Sequence, residues 1–424
     1  MEYNNKNKIV EKLILTNDTN NMKENLKKDD LIVLFDNIQF IYELVLSQLE
    51  LKSLNVDFDL LNSLREFKTT NDYDKNNLIK RASYFKTVNK QYTDYYYIIH
   101  KNVTRSINQY LTHWIYPYKG KFHPQMIRAL LNIIEVKKGN TILDPFNGSG
   151  TTALESQLLG INYVGIDVSP LCILQTNVKT QSIFAINEIE KIKANVLDKI
   201  YYNNFNTDVK SFIEFLDNIS NEKVKDFYKM AFLLYVSDNA RRKINFDKSF
   251  YKNLDLMIKS VRDFQDIVQK LNLVLGDVKI LNGDCRKLPL DDNCMDGIIT
   301  SPPYSIALDY VANDAHSLKV LGYDISEIRE NFIGVRGHGL GKIDLYNDDM
   351  KKSYDEMYRV LKPKKFVAII IGNASYMGEE IKTVEFTIDY CQKIGFKLIH
   401  NIDKIIFGLY NVMQKENILI FQKI

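Results

Sequence analysis

Two short stretches of this 424-residue chain hold residue types that could do chemistry. The first is DPFNGSGTT, residues 144–152, where Gly148 and Gly150 lie between an apolar run and a helical pattern. Glycine lets the backbone approach a ligand closely, and the helix start beyond it offers free N–H groups. The spacing is not GxGxxG, and the Gly-Lys-Ser/Thr of a phosphate loop is missing. Asp144, just before the turn, suits a cationic ligand better than a pyrophosphate. The second stretch is TSPPY, residues 300–304, where two prolines end an apolar run. Proline cannot donate a backbone hydrogen bond, so a strand must stop there. What remains is a serine hydroxyl, a rigidly held Pro302 carbonyl and the ring of Tyr304.

An amino group on a nucleobase is a poor nucleophile, because its lone pair is delocalised into the ring. Ser301 and the Pro302 carbonyl can accept its hydrogens, and preorganised dipoles are an efficient source of rate. Tyr304 can stack on a base extruded from its helix. Two more acids join Asp144. Asp167 ends a second apolar run and can accept both hydroxyls of a ribose. Asp284 follows a third and can accept an adenine amino hydrogen. Adenosine carrying a cationic tail fits the set, which points to S-adenosylmethionine. Each aspartate taken singly is also a common helix cap or turn former.

These residues need elements to position them. From about 110, short apolar runs alternate with helical patterns: a strand, glycine turn and helix within GNTILDPFNGSGTTALESQLLG, then GINYVGIDVSP, DVKILNGDCRKLPL, CMDGIITSPPY and KKFVAIIIGN, with FKLIHNIDKIIFG and ENILIFQKI as a terminal pair. That alternation predicts an α/β fold, a mostly parallel sheet with helices on both faces and an antiparallel edge. Residues 176–275 interrupt it with three amphipathic helical patterns and no strand, too long a connection to be a loop. Residues 1–109 have apolar spacings of three and four, and no glycine or proline occurs before Pro117. The expectation there is a helical N-terminal region. The division expected is 1–109, a catalytic domain in two parts (110–175 and 276–424) and the helical insertion 176–275 between them.

DPFNGSGTT and TSPPY, with acids between them, resemble the amino-group DNA methyltransferases, which methylate cytosine N4 or adenine N6. The resemblance covers about 110–175 and 276–424, and implies a Rossmann-like seven-stranded sheet with a reversed final strand. It implies that Asp144, Phe146, Gly148 and Gly150 bind the methionine part of S-adenosylmethionine, Asp167 the ribose and Asp284 the adenine, with Cys285 a further cofactor-binding residue. It makes Ser301, Pro302, Pro303 and Tyr304 the catalytic step. YKGKFHPQ, residues 118–125, is similar to the family element that helps close the methionine pocket, which adds Lys121, Phe122, His123 and Pro124. A serine at the head of the tetrapeptide is commoner in cytosine-N4 enzymes, an aspartate in adenine-N6 enzymes. Cytosine C5 methylation needs an attacking thiolate, usually from a Pro-Cys step, and none of the eight prolines precedes a cysteine.

The insertion departs from the family's usual placement of its target-recognition region. It carries NARRK, in which Arg241 and Arg242 can contact phosphates or form ion pairs on a solvated face. GVRGHGLGK, residues 334–342, has four glycines in nine residues and offers Arg336, His338 and Lys342 as DNA contacts, or is an ordinary surface loop. Asn373, after the fifth strand, is a candidate for the base pocket. The expected partner is duplex DNA with a specific short site, the chain being either the modification half of a restriction system with a cognate nuclease or an orphan enzyme. An adenine-N6 enzyme, a tRNA guanine-N2 methyltransferase and a catalytically silent cofactor-binding regulator stand as alternatives.

The bulk composition agrees with an ordinary globular chain: 45% hydrophobic, 26% charged, net charge +3. Four cysteines without a CxxC pair suggest neither a zinc site nor a disulfide framework, so no metal is expected. No apolar run of about 18 residues is present, and the polar N-terminus has no signal-peptide core. The expectation is a cytoplasmic protein without a membrane span.

Overall fold

The computed structural model describes residues 31–61, 63–104, 106–203, 209–304, 309–337, 341–376, 379–407 and 413–424. A seven-stranded sheet organises the catalytic part. Its strands are β6 (Thr141–Asp144), β7 (Asn162–Asp167), β8 (Val278–Asn282), β9 (Gly297–Thr300), β10 (Phe366–Ile371), β13 (Phe396–Phe407) and β14 (Met413–Lys423). The spatial order is β13-β14-β10-β9-β6-β7-β8. The pairs β10·β9, β9·β6, β6·β7 and β7·β8 are parallel, whereas β14 runs antiparallel to both β10 and β13. The reversed strand is thus slotted inside the sheet, and β13, the edge, points the same way as the parallel strands. The sequence placed the antiparallel pair at the edge without this insertion. Length along the chain cannot tell which member of a terminal pair inserts.

The apolar runs are buried on both faces because neighbouring residues of each strand feed different cores. Ile142, Ile299, Ala368, Ile370, Ile418 and Ile420 face one cluster. Leu143, Ile298, Val367, Ile369, Ile371, Leu419 and Phe421 face the other. The first face is covered by helices of the N-terminal and inserted parts, the second by Gly341–Val360 and Thr383–Lys393. A short hairpin, β11 (Ala374–Tyr376) and β12 (Glu379–Ile381), follows β10.

The insertion is helical as expected. It comprises α7 (Ile186–Asn203), α8 (Val209–Asp217), α9 (Glu222–Arg242) and α10 (Phe246–Lys270), after α6 (Pro170–Gln181). The N-terminal region corrects the helical expectation. It has α1 (Ile41–Ser53), α2 (Lys75–Arg81) and α3 (Asp94–Ile99), but also a five-stranded sheet in the order β2-β3-β1-β4-β5. These strands are β1 (Leu31–Leu34), β2 (Phe58–Leu60), β3 (Glu66–Thr69), β4 (Phe85–Val88) and β5 (Gln91–Tyr92), and LIVL within the supposed long helix is the central one. Its turns are made without glycine. Asn55, Leu64, Asn89 and Lys90 take positive φ, at 59°, 55°, 51° and 65°. Asparagine tolerates that conformation, and tertiary packing carries the rest.

This N-terminal sheet shares its core with the catalytic domain through α4 (Pro124–Ile133). Buried Glu50 of α1 accepts from the Ser83 N–H at 2.9 Å, the Tyr84 N–H at 3.2 Å and Asn132 Nδ2 of α4 at 2.8 Å. The remaining helices are α5 (Thr151–Leu158), α11 (Tyr310–Val320), α12 (Ile325–Asn331), α13 (Gly341–Val360) and α14 (Thr383–Lys393). Among the described residues no helix is long and apolar enough to cross a membrane.

Candidate active site

β6, β7, β8 and β9 all end at one edge of the sheet, so the residues just beyond them converge. The glycine turn leaves β6 and enters α5 at Gly150, whose φ is 73°. A Cβ there would come within 2.4 Å of Thr176 Oγ1. Both the conformation and the space therefore require glycine. Gly148, at φ 50°, lies under the ring of Tyr118, and its N–H donates to Asp167 Oδ2 at 2.8 Å. The Ser169 N–H donates to Asp167 Oδ1 at 2.9 Å. Burial still dominates at Asp167 and pushes its carboxyl up to about 6. Asn147 fastens the turn from behind: it accepts from the Tyr163 hydroxyl at 2.9 Å and donates to Thr176 Oγ1 at 2.9 Å.

An open cleft lies against this edge. Phe122, Phe146, Gly148, Asp167, Asp284, Cys285, Ser301 and Pro303 all line it. Asp284 is gripped by Arg286, whose Nε lies 2.9 Å from both carboxylate oxygens. Burial alone would raise that carboxyl, but the Arg286 hydrogen bonds and charge outweigh it and hold it below the ordinary range. Arg286 also reaches Asp349 of α13 at 2.9 Å.

Asp144 is placed differently from the expectation. It does not line the cavity but lies fully buried beneath the turn. It accepts from Thr300 Oγ1 at 2.8 Å, from Thr152 Oγ1 at 3.2 Å and from the Phe146 N–H at 3.2 Å. Burial pushes it up to about 7. Its position ties the two motifs to each other, since Thr300 immediately precedes Ser301. Gly150 is likewise inside the turn and not at the cavity wall. Lys121 donates to the His113 carbonyl, away from the cavity, and burial lowers it to about 7. His123 stands at the N-cap position of α4, which begins at Pro124, without a side-chain capping bond; burial first, and then the Lys404 charge, lower the imidazole to about 4.

Ser301 and Pro303 reach the cavity, Pro302 is buried behind them, and Tyr304 turns its hydroxyl to Glu416 of β14. The residues proposed for DNA contact scatter. Arg241 pairs with Asp314 of α11 at 3.3 Å, and Arg336 pairs with Asp349. Arg242 is 72% exposed. Lys342 is half-buried in the first turn of α13. Asn373 donates to Glu380 at 2.9 Å and accepts from the Val384 N–H at 3.0 Å, so it holds the hairpin to α14. His338 lies outside the described residues.

Three aromatic residues at the wall were missed. Tyr118, Tyr310 and Phe332 form a ladder with ring centroids 6.1 and 6.0 Å apart and planes within 25° of parallel. Tyr118 and Tyr310 stand inside or next to the two motif stretches, so their position was the available signal. Phe332 follows α12, two residues before the glycine-rich stretch 334–342, and its own residue type gave no signal. Among the described residues no cluster of His, Cys, Asp and Glu could hold a metal ion.

The cavity fits S-adenosylmethionine by its donor set: carboxylates at two neighbouring strand ends, a glycine turn beside them, and aromatic and apolar walls. Comparison with known proteins agrees. The family of N6/N4-type DNA methylases matches residues 4–178, and an RMKL-like methyltransferase domain matches 115–318. The Type II methyltransferase M.MjaII of Methanocaldococcus jannaschii is 35% identical over 120 residues, 28% of this chain and 22% of that protein. M.BsoBI of Geobacillus stearothermophilus is 26% identical over 407 aligned positions, covering 69% of this chain and 80% of the relative. A tRNA (guanine(10)-N2)-dimethyltransferase of Methanothermobacter thermautotrophicus is 33% identical over 81 residues, 19% of this chain and 24% of its own length.

Proposed function

We propose that this chain, an S-adenosylmethionine-dependent methyltransferase of the amino-group type, methylates the exocyclic N4 amine of cytosine at a specific site in duplex DNA. One observation carries the reading. Ser301 and Pro303, at the end of β9, share a cavity wall with Asp167 and the glycine turn, and Asp144 joins the two strands beneath. The match to DNA methylases supports DNA as the substrate, and the serine at position 301 supports cytosine.

When bound, the cofactor supplies an electrophilic methyl group on a sulfonium. Asp167 would hold its ribose, Asp284 its adenine, and Phe146 and the Gly148 backbone its remaining length. The chain's own part in the reaction is positioning. A target base swung out of the duplex stacks on Tyr304, while Ser301 and the Pro302 carbonyl accept the hydrogens of its amino group. Accepting those hydrogens turns the nitrogen lone pair out of the ring. Holding the amine in one place supplies much of the acceleration. A companion nuclease reading the same site is the partner such an activity fits.

The local match to the tRNA dimethyltransferase favours a second reading, an amino group on a guanine of tRNA. Labelled S-adenosylmethionine incubated with duplex DNA and, separately, with bulk tRNA separates the two. Digestion to nucleosides and mass spectrometry should find N4-methylcytosine from DNA. N6-methyladenine would overturn the serine argument, and label in tRNA alone would replace DNA by the second reading.

A further inference from the structure

We propose that Glu416 is a positioning residue of this active site, which clamps the ring of Tyr304 through its hydroxyl before the target base arrives. The inference rests on the reading of Ser301–Tyr304 as the catalytic step. Glu416 lies on β14, the reversed strand slotted inside the sheet, far from either motif in sequence. One of its oxygens accepts from the Tyr304 hydroxyl and the other from Lys404 Nζ. Lys404 is its cross-strand partner on β13. The two side chains are only 17% and 8% exposed.

A buried lysine needs a counter-charge, and a purely structural pair would be complete with the two charged groups. Here the carboxylate is divided between the lysine and the catalytic-step tyrosine. With Lys404 on the other oxygen, the carboxylate offers the tyrosine a charge-assisted hydrogen bond, about twice as strong as a neutral one. Its charge also acts on Tyr310, at the cavity wall, and on His123 at the start of α4. A tyrosine held only through its first torsions would sample several ring orientations. Anchoring the hydroxyl leaves one, so the ordering cost of stacking falls on folding rather than on each turnover.

The test is a double-mutant cycle with Glu416→Gln and Tyr304→Phe, each assayed for kcat and KM on the nucleic acid that the wild-type protein labels. Each single variant should lower kcat/KM roughly ten- to a hundredfold, the range for losing a charged hydrogen bond. The double variant should be no worse than the poorer single one, because one change weakens and the other removes the same bond. Losses that multiply would overturn the clamp. A second measurement needs no substrate. In protein labelled with 3-fluorotyrosine, the ¹⁹F resonance absent from Tyr304→Phe belongs to Tyr304. Glu416→Gln should shift and broaden it; an unchanged resonance would overturn the proposal. Should Glu416→Gln lower the melting temperature, Glu416→Gln with Lys404→Gln removes both buried charges and carries the same two readouts. Failure to label any nucleic acid would sink the proposed function, while the ¹⁹F signal would still decide the clamp.

Discussion

Asp167 and Asp144 show how the same residue type, at equivalent strand ends, can do different work. Asp167 faces the cavity with both oxygens already taking backbone N–H groups. Its carboxyl sits near 6 because burial outweighs those bonds. Only the ionised form accepts both ribose hydroxyls, so cofactor affinity should fall as the pH drops through about 6. Calorimetric titration between pH 8 and 5 should show that decline, and Asp167→Asn should bind weakly at every pH. A wild-type affinity that is flat over this range would remove Asp167 from the ribose. Gly150 is tested by stability. Its φ of 73° and the 2.4 Å approach to Thr176 mean that Gly150→Ala should destabilise by roughly 1–3 kcal/mol in urea unfolding. A loss below about 0.5 kcal/mol would mean that the turn relaxes. Both residues were legible in the chain because their motif is local. The burial of Asp144 was not, since it depends on Thr300, 156 residues away.

Between elements, ion pairs join parts of the chain that no motif connects. Arg286, in the loop after β8, bridges Asp284 at the cavity to buried Asp349 on α13. Arg286→Met should leave Asp349 with only Arg336 and release Asp284. The expected cost is on the order of 3 kcal/mol, the range for breaking a buried pair, together with weaker cofactor binding. Chemical denaturation and calorimetry on the same sample would check both; unchanged cofactor affinity would show that Asp284 needs no anchoring. Arg241 illustrates the same lesson for the insertion. As a sequence feature it is a basic residue available to phosphate, but in the fold it holds α9 to Asp314 of α11, the helix that starts with the cavity residue Tyr310. The insertion thereby braces the cofactor pocket, a contact that charge pattern alone cannot distinguish from a free basic face.

On the scale of the whole molecule, the N-terminal sheet, the catalytic sheet and the insertion share one hydrophobic core. Glu50 sits where the first two meet, and Glu50→Ala would leave the buried Ser83 and Tyr84 N–H groups without an acceptor and Asn132 with only the Arg81 carbonyl. Each unsatisfied group costs about 1–3 kcal/mol. The single tryptophan, Trp114, donates to Ser260 of α10 at 2.7 Å and so reports on the joint with the insertion. Its fluorescence should follow one cooperative unfolding transition in the wild type, moved to lower urea in Glu50→Ala. Two separate transitions in the wild type would show that the parts fold independently. Saturating S-adenosylmethionine at a hundred times its dissociation constant should add about 2.7 kcal/mol to that transition.

The sequence by itself determined the strands of the catalytic sheet, the helical insertion, the glycine turn and the serine-proline-proline-tyrosine step. These are local: an apolar run long enough to be buried on both faces, a backbone that only glycine can adopt, a strand that proline must end. Three things were left to tertiary structure. The N-terminal sheet was hidden because its turns use asparagine and lysine at positive φ in place of glycine. The aromatic ladder of Tyr118, Tyr310 and Phe332 takes its rings from three separate segments, and Glu416 comes to Tyr304 only because β14 inserts between β10 and β13. Local conformational preference acts over a few residues, whereas the partner of a buried charge or ring is chosen by the packing of the whole chain.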